Sequence, residues 1–169
     1  MKTNNTINTN YFSFTKTSFS FIHFIVFCLL SISIFSCTKT TTAEQDKKDE
    51  DAIVSYLSKH SINATKTSSG LYYTIEDPGT GMQVSANNSV YMKYKAYLLD
   101  GTVFDENKVG TTLSLPNTIK GWQEGIPKFK VGGKGKLFIP SKLGYGTEAT
   151  GSIPANSVLI FEIEVIEIK

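Results

Sequence analysis

A chain of 169 residues with a formal net charge of +2 has room for one domain of ordinary size and a flanking segment. It contains no arginine, and beyond residue 36 its lysines are equal in number to its acids and dispersed among them, so we predict no nucleic-acid binding. Both cysteines fall in or beside one apolar segment and only two histidines occur, so we predict no disulfide framework, metal site or cofactor.

The first 36 residues have the plan of a secretory signal. A cationic start precedes an apolar run from Phe19 to Phe35 that carries no Asp or Glu. Ser36-Cys37 resembles the end of a lipobox, in which the cysteine is lipidated and becomes the new N-terminus. We therefore predict a signal peptide over residues 1–36 and a lipid anchor on Cys37. An uncleaved transmembrane anchor is the alternative, since residues 19–35 reach the low end of the roughly 17–25 residues that cross a bilayer.

Residues 37–68 are too polar to bury a core and are predicted to form a tether. Within it, Ile53, Val54 and Leu57 recur at helical spacing behind a group of acids, which favours a short amphipathic helix over residues 51–60. A solvated spacer turn is the alternative. His60 is predicted to lie at the surface near the end of this segment.

The folded domain is predicted over residues 69–169, where short strands alternate with turns. Strand-forming residues occupy 71–76, and alternation over 90–98 points Tyr94 inward. Asp100-Gly101 marks a tight turn with a return strand at 102–105. Further strands are predicted at 113–115, 136–139 and 159–165, and a short helix at 119–125 that Pro127 ends. These elements predict an α+β domain, in which an antiparallel sheet packs on one short helix.

Four motifs in this domain resemble the FKBP-type peptidyl-prolyl cis-trans isomerases. They are Tyr94–Asp105, Ile119–Gly125, Gly144–Gly146 and Ser152–Phe161, and their order and spacing agree with the family. The resemblance implies a curved antiparallel β-sheet wrapped around the short α-helix, with an apolar pocket between them. It implies catalytic roles for Tyr94, Asp105 and Tyr145, and substrate binding by Phe104, Thr118, Ile119, Trp122, Ile153 and Phe161, with Leu113 and Leu115 flanking the pocket.

Such a pocket suits rotation about a proline peptide bond. Rotation breaks amide resonance at a cost of about 18–20 kcal/mol, and an apolar pocket disfavours the planar, charge-separated ground state. By the resemblance, Trp122 is the floor, the Tyr145 hydroxyl and the Ile119 N–H donate to bound carbonyls, and Tyr94 with Asp105 shapes the edge. Leu113 stands where the family often has an aromatic residue, so we expect activity to be retained but reduced.

Taken singly, these residues have plainer interpretations. A lone tryptophan is more often a core residue, and Asp105 alone suits a turn or a cap; only the joint pattern favours a site. The glycine-rich segment 131–136 hints at a phosphate loop, but no Ser or Thr follows its Gly-Lys pairs and no helical pattern opens there. It is predicted to be a turn that enters a strand.

The sequence therefore predicts an isomerase that acts on proline-containing segments of exported proteins and assists their folding in the cell envelope. We expect a monomeric domain, anchored as a lipoprotein in the outer membrane and facing the periplasm. One alternative is a module that binds proline-containing segments without turnover, as a chaperone or assembly factor. Another is a passive spacer in an envelope complex.

Overall fold

The computed structural model describes residues 41–169, in which six strands form one antiparallel sheet. The helices and strands are α1 (Thr42–Lys59), β1 (Thr65–Lys66), β2 (Tyr72–Asp77), β3 (Ser89–Leu98), β4 (Val103–Ser114), α2 (Lys120–Gly125), β5 (Lys134–Ile139) and β6 (Leu159–Ile168). The strand order is β1-β2-β5-β6-β3-β4. The predicted signal peptide and Cys37 lie outside the described residues. Within residues 41–169, no helix has both the length and the apolar character needed to cross a membrane.

The hairpin between β3 and β4 turns at Asp100 and Gly101, as predicted. The Asp100 carboxylate accepts the Thr102 N–H at 2.9 Å, and Gly101 has a φ of 90°, a conformation that favours glycine. The return strand is longer than expected, because β4 passes a bulge after Asn107 and continues to Ser114. The separate strand predicted at 113–115 is therefore wrong: residues 113 and 114 end β4, and Leu115 begins a 3-10 turn.

The short helix α2 approaches strand β5 closely at two glycines. A Cβ on Gly121 would lie 2.5 Å from Ile139 Cγ2, and a Cβ on Gly125 would lie 2.6 Å from Leu137 Cδ1, both closer than carbon atoms approach. This contact fixes Trp122, which is 5% exposed, between the helix and the sheet. Bulges bend the strands that wrap around the helix. The predicted α+β fold, a curved antiparallel sheet around a short helix, is confirmed.

Alternate residues of β5 and β6 place their side chains on opposite faces of the sheet. Leu137 and Phe161 pack in the main core with α2, on what we call the inner face. Phe138 and Ile160 point to the other side, the outer face, where they form a second apolar cluster.

Helix α1 covers that second cluster. Ile53 and Leu57 are buried there against Tyr72, Phe138 and Ile160. The sequence predicted a helix only over 51–60, and the alternative of a solvated spacer turn is wrong. The helix already begins at Thr42, because the Thr41 hydroxyl caps it by accepting the Glu44 N–H. Ion pairs one turn apart, between Lys48 and Glu44 at 3.3 Å and between Lys47 and Asp51 at 3.4 Å, support its polar first half.

Candidate active site

A cavity of about 410 Å³ opens between the inner face of the sheet and α2. Its walls come from β3, β4, β6, α2 and the segments that precede α2 and follow β5. The lining residues are Tyr94, Phe104, Asp105, Leu113, Asn117, Thr118, Ile119, Trp122, Tyr145 and Phe161. The tertiary structure thus brings together every residue that the sequence assigned to the site except Ile153.

Three edge-to-face aromatic contacts build the apolar part of this cavity. The Trp122 ring centroid lies 5.2 Å from that of Tyr94 and 5.1 Å from that of Phe161, with interplanar angles of 76° and 79°. Phe104 and Phe161 meet at 5.8 Å and 86°. Such packing is favoured by the ring quadrupoles and holds the rings in defined orientations. Trp122 and Phe161 are the most deeply buried of these four rings, and Trp122 forms the apolar floor of the cavity.

The indole N–H of Trp122 is buried and has no hydrogen-bond acceptor within residues 41–169. Buried donors without an acceptor are uncommon in native proteins, because they lose the hydrogen bonds that water gave them. The tryptophan therefore leaves one unused polar donor in an otherwise apolar part of the molecule.

Tyr94 and Asp105 form a hydrogen-bonded pair at the edge of the cavity. The Tyr94 hydroxyl donates to Asp105 Oδ2 at 2.7 Å, and Asp105 Oδ1 accepts the Glu106 N–H at 2.8 Å. Burial, together with the hydrogen bond to the Asp105 carboxylate, raises the pKa of Tyr94 to about 12. Tyr94 is therefore a neutral hydroxyl at physiological pH, and its proton is directed at Asp105.

Two other donors at the cavity remain available to a ligand. The carbonyl of Ile119 accepts the N–H groups of Trp122 and Gln123 at 2.9 and 3.2 Å, at the start of α2, while its own N–H has no acceptor in the described part of the chain. Tyr145 is 38% exposed, and its hydroxyl makes no hydrogen bond to any residue from 41 to 169. These are the two groups that the resemblance assigned to binding carbonyls.

Thr118 and Ile153 are placed differently from the other site residues. The Thr118 hydroxyl donates to the Leu115 carbonyl at 2.7 Å, so it contributes to the wall of the cavity while its donor is already used. Ile153 is 6% exposed and packs in the inner-face core, and it is not among the side chains that line the cavity. Direct contact of Ile153 with a substrate stays a prediction. Leu113 lines the cavity as expected, whereas Leu115 is fully buried beneath it.

A second hollow of similar size, about 390 Å³, lies across strands β2 to β6 and has a different chemistry. Lysines and glutamates surround it, including Lys136 and Glu162, which are paired at 2.8 Å. A surface of alternating ion pairs keeps its water, so it cannot give a peptide bond an apolar environment. The aromatic cavity is the better candidate for a site that binds a prolyl ring.

One buried polar contact near the site was not predicted from the sequence: it joins Asp49 of α1 to Ser141 after β5. Both residues are 2% exposed, and Ser141 Oγ donates to Asp49 Oδ2 at 2.6 Å. A signal was present nevertheless: Asp49 lies four residues before Ile53 and eight before Leu57, on the apolar side of the helix. Its neighbours in the chain are acids and lysines, and for that reason the sequence predicts a charged tether at this position.

Comparisons with known proteins agree with this geometry. The family model for FKBP-type peptidyl-prolyl cis-trans isomerases matches residues 81–166. The FKBP-type peptidyl-prolyl cis-trans isomerase FkpA of Escherichia coli (strain K12) is 42% identical over 130 residues, which are 75% of this chain and 47% of that protein. FkpA of Aeromonas hydrophila is 40% identical over 129 residues, again 75% and 47%. The chain spans about half the length of the curated relatives that it matches.

Solved structures show the same similarity. The crystal structure of FkpA from Escherichia coli has a TM-score of 0.64 and 32% identity, covering 75% of this chain and 63% of that one. A peptidyl-prolyl cis-trans isomerase from Pseudomonas syringae pv. tomato has a TM-score of 0.67 and 30% identity, covering 78% of this chain and 98% of that one. Because the family match includes every residue that lines the aromatic cavity, fold, site and sequence lead to one assignment: the chain belongs to the FKBP-type peptidyl-prolyl cis-trans isomerases.

Proposed function

We propose that this protein accelerates the cis–trans isomerisation of X–Pro bonds in exported polypeptides, and that it acts in the cell envelope. The observation that carries the proposal is the aromatic cavity, in which a buried tryptophan lies beneath two hydrogen-bond donors that have no acceptor of their own in the described part of the chain. Family membership supports the reaction type.

The cavity favours a twisted peptide bond by removing water from a planar one. The prolyl ring packs on Trp122 between Phe104 and Phe161, while the preceding carbonyl remains free to rotate. The charge separation of the planar amide loses its hydration there, and the twisted amide, which has less charge separation, loses less. The Ile119 N–H and the Tyr145 hydroxyl hold flanking carbonyls so that the chain cannot turn with the bond.

No proton has to move in this mechanism. The Tyr94 hydroxyl stays protonated because its pKa is about 12, and its hydrogen bond to Asp105 fixes the rim of the cavity. The pair is therefore assigned a shaping role, with no acid or base step. This agrees with a reaction whose barrier is loss of amide resonance.

A protease-coupled assay on an Xaa-Pro peptide tests the proposal, with the full-length chain and its Tyr145→Phe and Asp105→Leu variants. We expect Tyr145→Phe to lower kcat/KM about two- to tenfold, the worth of one hydrogen bond of about 0.5–1.5 kcal/mol. Tyr91→Phe is the matched control, since the Tyr91 hydroxyl donates to the Val109 carbonyl and does not line the cavity.

Rates equal to the uncatalysed reaction would disprove turnover and leave the binding module. In that case the same peptide should still bind with an affinity that Trp122→Ala weakens, as measured by calorimetry. Failure of both measurements would exclude any role for the cavity in recognising proline.

Anchoring in the membrane is a separate proposal that rests on the sequence. The apolar run before Ser36 and the cysteine at position 37 support a signal peptide with lipidation at Cys37. The lack of an acid directly after Cys37 supports an outer-membrane location facing the periplasm. The mass of the protein purified from membranes tests it. A lipidated N-terminal Cys37 is expected, whereas an intact Met1 would show that the apolar run is retained.

A further inference from the structure

A buried carboxylate joins helix α1 to the segment that carries Tyr145. Asp49 is 2% exposed, and its Oδ2 accepts two hydrogen bonds from Ser141, one from the backbone N–H at 2.7 Å and one from the hydroxyl at 2.6 Å. Its Oδ1 accepts a third from Gln45 Nε2 at 2.7 Å. All three donors are neutral, and within residues 41–169 Asp49 has no cation as a partner. Such an arrangement fixes the orientation of the Asp49 side chain through directed hydrogen bonds alone.

Ser141 is the first residue of a 3-10 turn that leads directly into the Tyr145 segment. That turn, Ser141–Leu143, has no side-chain cap of its own, because Pro140 precedes it, and Asp49 provides the missing acceptor from a distant helix. The Ser141 carbonyl then accepts the N–H groups of Gly144 at 2.9 Å and of Gly146 at 2.8 Å. Tyr145 lies between these two amides, so both of its neighbours are hydrogen-bonded to the residue that Asp49 holds.

A neighbouring contact between the same two elements is of a different kind. Lys142 Nζ pairs with Asp46 Oδ2 at 2.8 Å, but both side chains are about a third exposed, 39% and 33%. An ion pair in contact with water contributes little to holding a fixed geometry. One turn of α1 thus makes a buried contact, from Asp49 to Ser141, and an exposed contact, from Asp46 to Lys142. Variants of Asp49 and Asp46 can therefore be compared as a matched pair.

We propose that Asp49 is a positioning residue for the isomerase reaction, and that it acts through Ser141 by fixing the backbone on both sides of Tyr145. This inference rests on the proposed function, because it concerns how the Tyr145 hydroxyl is aimed at a bound carbonyl. It makes helix α1 a supporting part of the active site. The hydroxyl that faces the substrate on the inner face is held from the outer face of the same sheet.

A double-mutant cycle on the full-length chain tests the proposal. Asp49→Ala, Asp49→Asn and Asp46→Ala are each made in the wild-type chain and in Tyr145→Phe, and kcat/KM is measured with the Xaa-Pro peptide. We expect Asp49→Ala to lower kcat/KM by about as much as Tyr145→Phe does, and to cause a further loss of less than about twofold when Tyr145→Phe is already present. Asp49→Asn should keep most of the wild-type kcat/KM, since its amide oxygen can still accept from Ser141. Asp46→Ala should leave kcat/KM unchanged.

An equal loss in both backgrounds would overturn the proposal, because Asp49 would then act on the whole fold and not through Tyr145. So would a folded Asp49→Ala variant with the wild-type rate. If Asp49→Ala does not fold, Ser141→Ala enters the same cycle, since it removes only the hydroxyl that donates to Asp49, and the same two outcomes decide.

Failure of the proposed function gives a different result. If the wild-type chain shows no catalysis, ¹H–¹⁵N spectra still test the positioning: the amide resonances of Gly144 and Gly146 should shift in Asp49→Ala and stay in place in Asp46→Ala. Unchanged glycine resonances in a folded Asp49→Ala chain would overturn the positioning role whatever the activity.

Discussion

The inner and outer faces of the sheet are built from alternate residues of the same strands, and they bury their apolar side chains in different ways. On the outer face the 18-residue helix α1 lies over Phe138 and Ile160 and fills the space above them with Ile53 and Leu57. On the inner face the covering helix is only six residues long and touches the sheet closely at its glycines. Beyond that contact the aromatic side chains are left uncovered, and they form the cavity. The short helix of the inner face thus leaves room for an apolar cavity, whereas α1 fills the space above the apolar cluster of the outer face.

The largest effect is expected where the cavity and the core coincide, at Trp122. Removing this side chain by Trp122→Ala should destabilise the fold by about 3–5 kcal/mol, because it leaves a cavity under α2, and should abolish most of the isomerase activity. Urea unfolding measures the first effect, and the peptide assay below the unfolding transition measures the second. A folded Trp122→Ala variant with the wild-type rate would show that catalysis does not need the Trp122 side chain. The inner-face cavity would then lose its assignment as the site of catalysis.

Packing of α1 on the outer face is tested by two neighbouring residues of that helix. Ile53 is fully buried, whereas Val54 is 47% exposed. Ile53→Ala should lower the free energy of unfolding by about 2–5 kcal/mol, and Val54→Ala should change it by no more than about 0.5 kcal/mol. Urea unfolding followed by circular dichroism compares the two variants. Equal effects would mean that α1 does not pack on the sheet.

A tyrosine on each face should make the fold sensitive to alkali. Burial raises the pKa of Tyr94 to about 12, and burial with the nearby Glu162 carboxylate raises the pKa of Tyr97 still further. The folded chain therefore keeps these protons at a pH where the unfolded chain, with tyrosine pKa values near 10, has lost them. The stability that these two tyrosines contribute should be constant below about pH 9 and fall from about pH 10 to 12. Urea midpoints across this range measure it, and Tyr97→Phe should reduce the fall. An unchanged pH dependence in Tyr97→Phe would contradict its burial.

The smallest effect is expected from the ion pairs of the outer face that α1 does not cover. Lys136 Nζ lies 2.8 Å from Glu162 Oε1, and both side chains are partly exposed. Lys136→Ala should cost about 0–1 kcal/mol of stability and leave kcat/KM unchanged. Urea unfolding and the peptide assay measure the two quantities. A loss of activity as large as that of Tyr145→Phe would show that the charged surface contributes to catalysis.

Much of the inner face could be predicted from the sequence, because its signals are local. Alternation in β3 and β6 places Tyr94 and Phe161 inward, and Asp100-Gly101 fixes the hairpin between β3 and β4. The family motifs then predicted the composition of the pocket, with the exception of Ile153, which packs in the inner-face core. Strand β4 was cut short in the prediction because the polar stretch 105–108 looks like a loop, whereas a bulge carries the strand through it.

The outer face was predicted less well, because its partners are far apart in the chain. Phe138 and Ile160 are apolar at positions where simple alternation predicts polar residues, so another segment must cover them. Nothing near them in the sequence shows which segment does so. The residues of α1 that do so follow a run of acids and lysines typical of a tether. The N-cap and two ion pairs support the polar first half of α1, and the cap pairs residues that the sequence alone did not single out.

By itself the sequence determined the strand periodicity, the tight turn, the α+β class and the family, since each is encoded in residues close together or in motifs of fixed spacing. Only the tertiary structure decided that α1 packs on the sheet, that Asp49 meets Ser141 across 92 positions, and that the N–H of Ile119 and the hydroxyl of Tyr145 are left for a ligand. The physical reason is that burial and hydrogen-bond satisfaction depend on all the groups that surround an atom. Those surroundings exist only once distant segments have packed together.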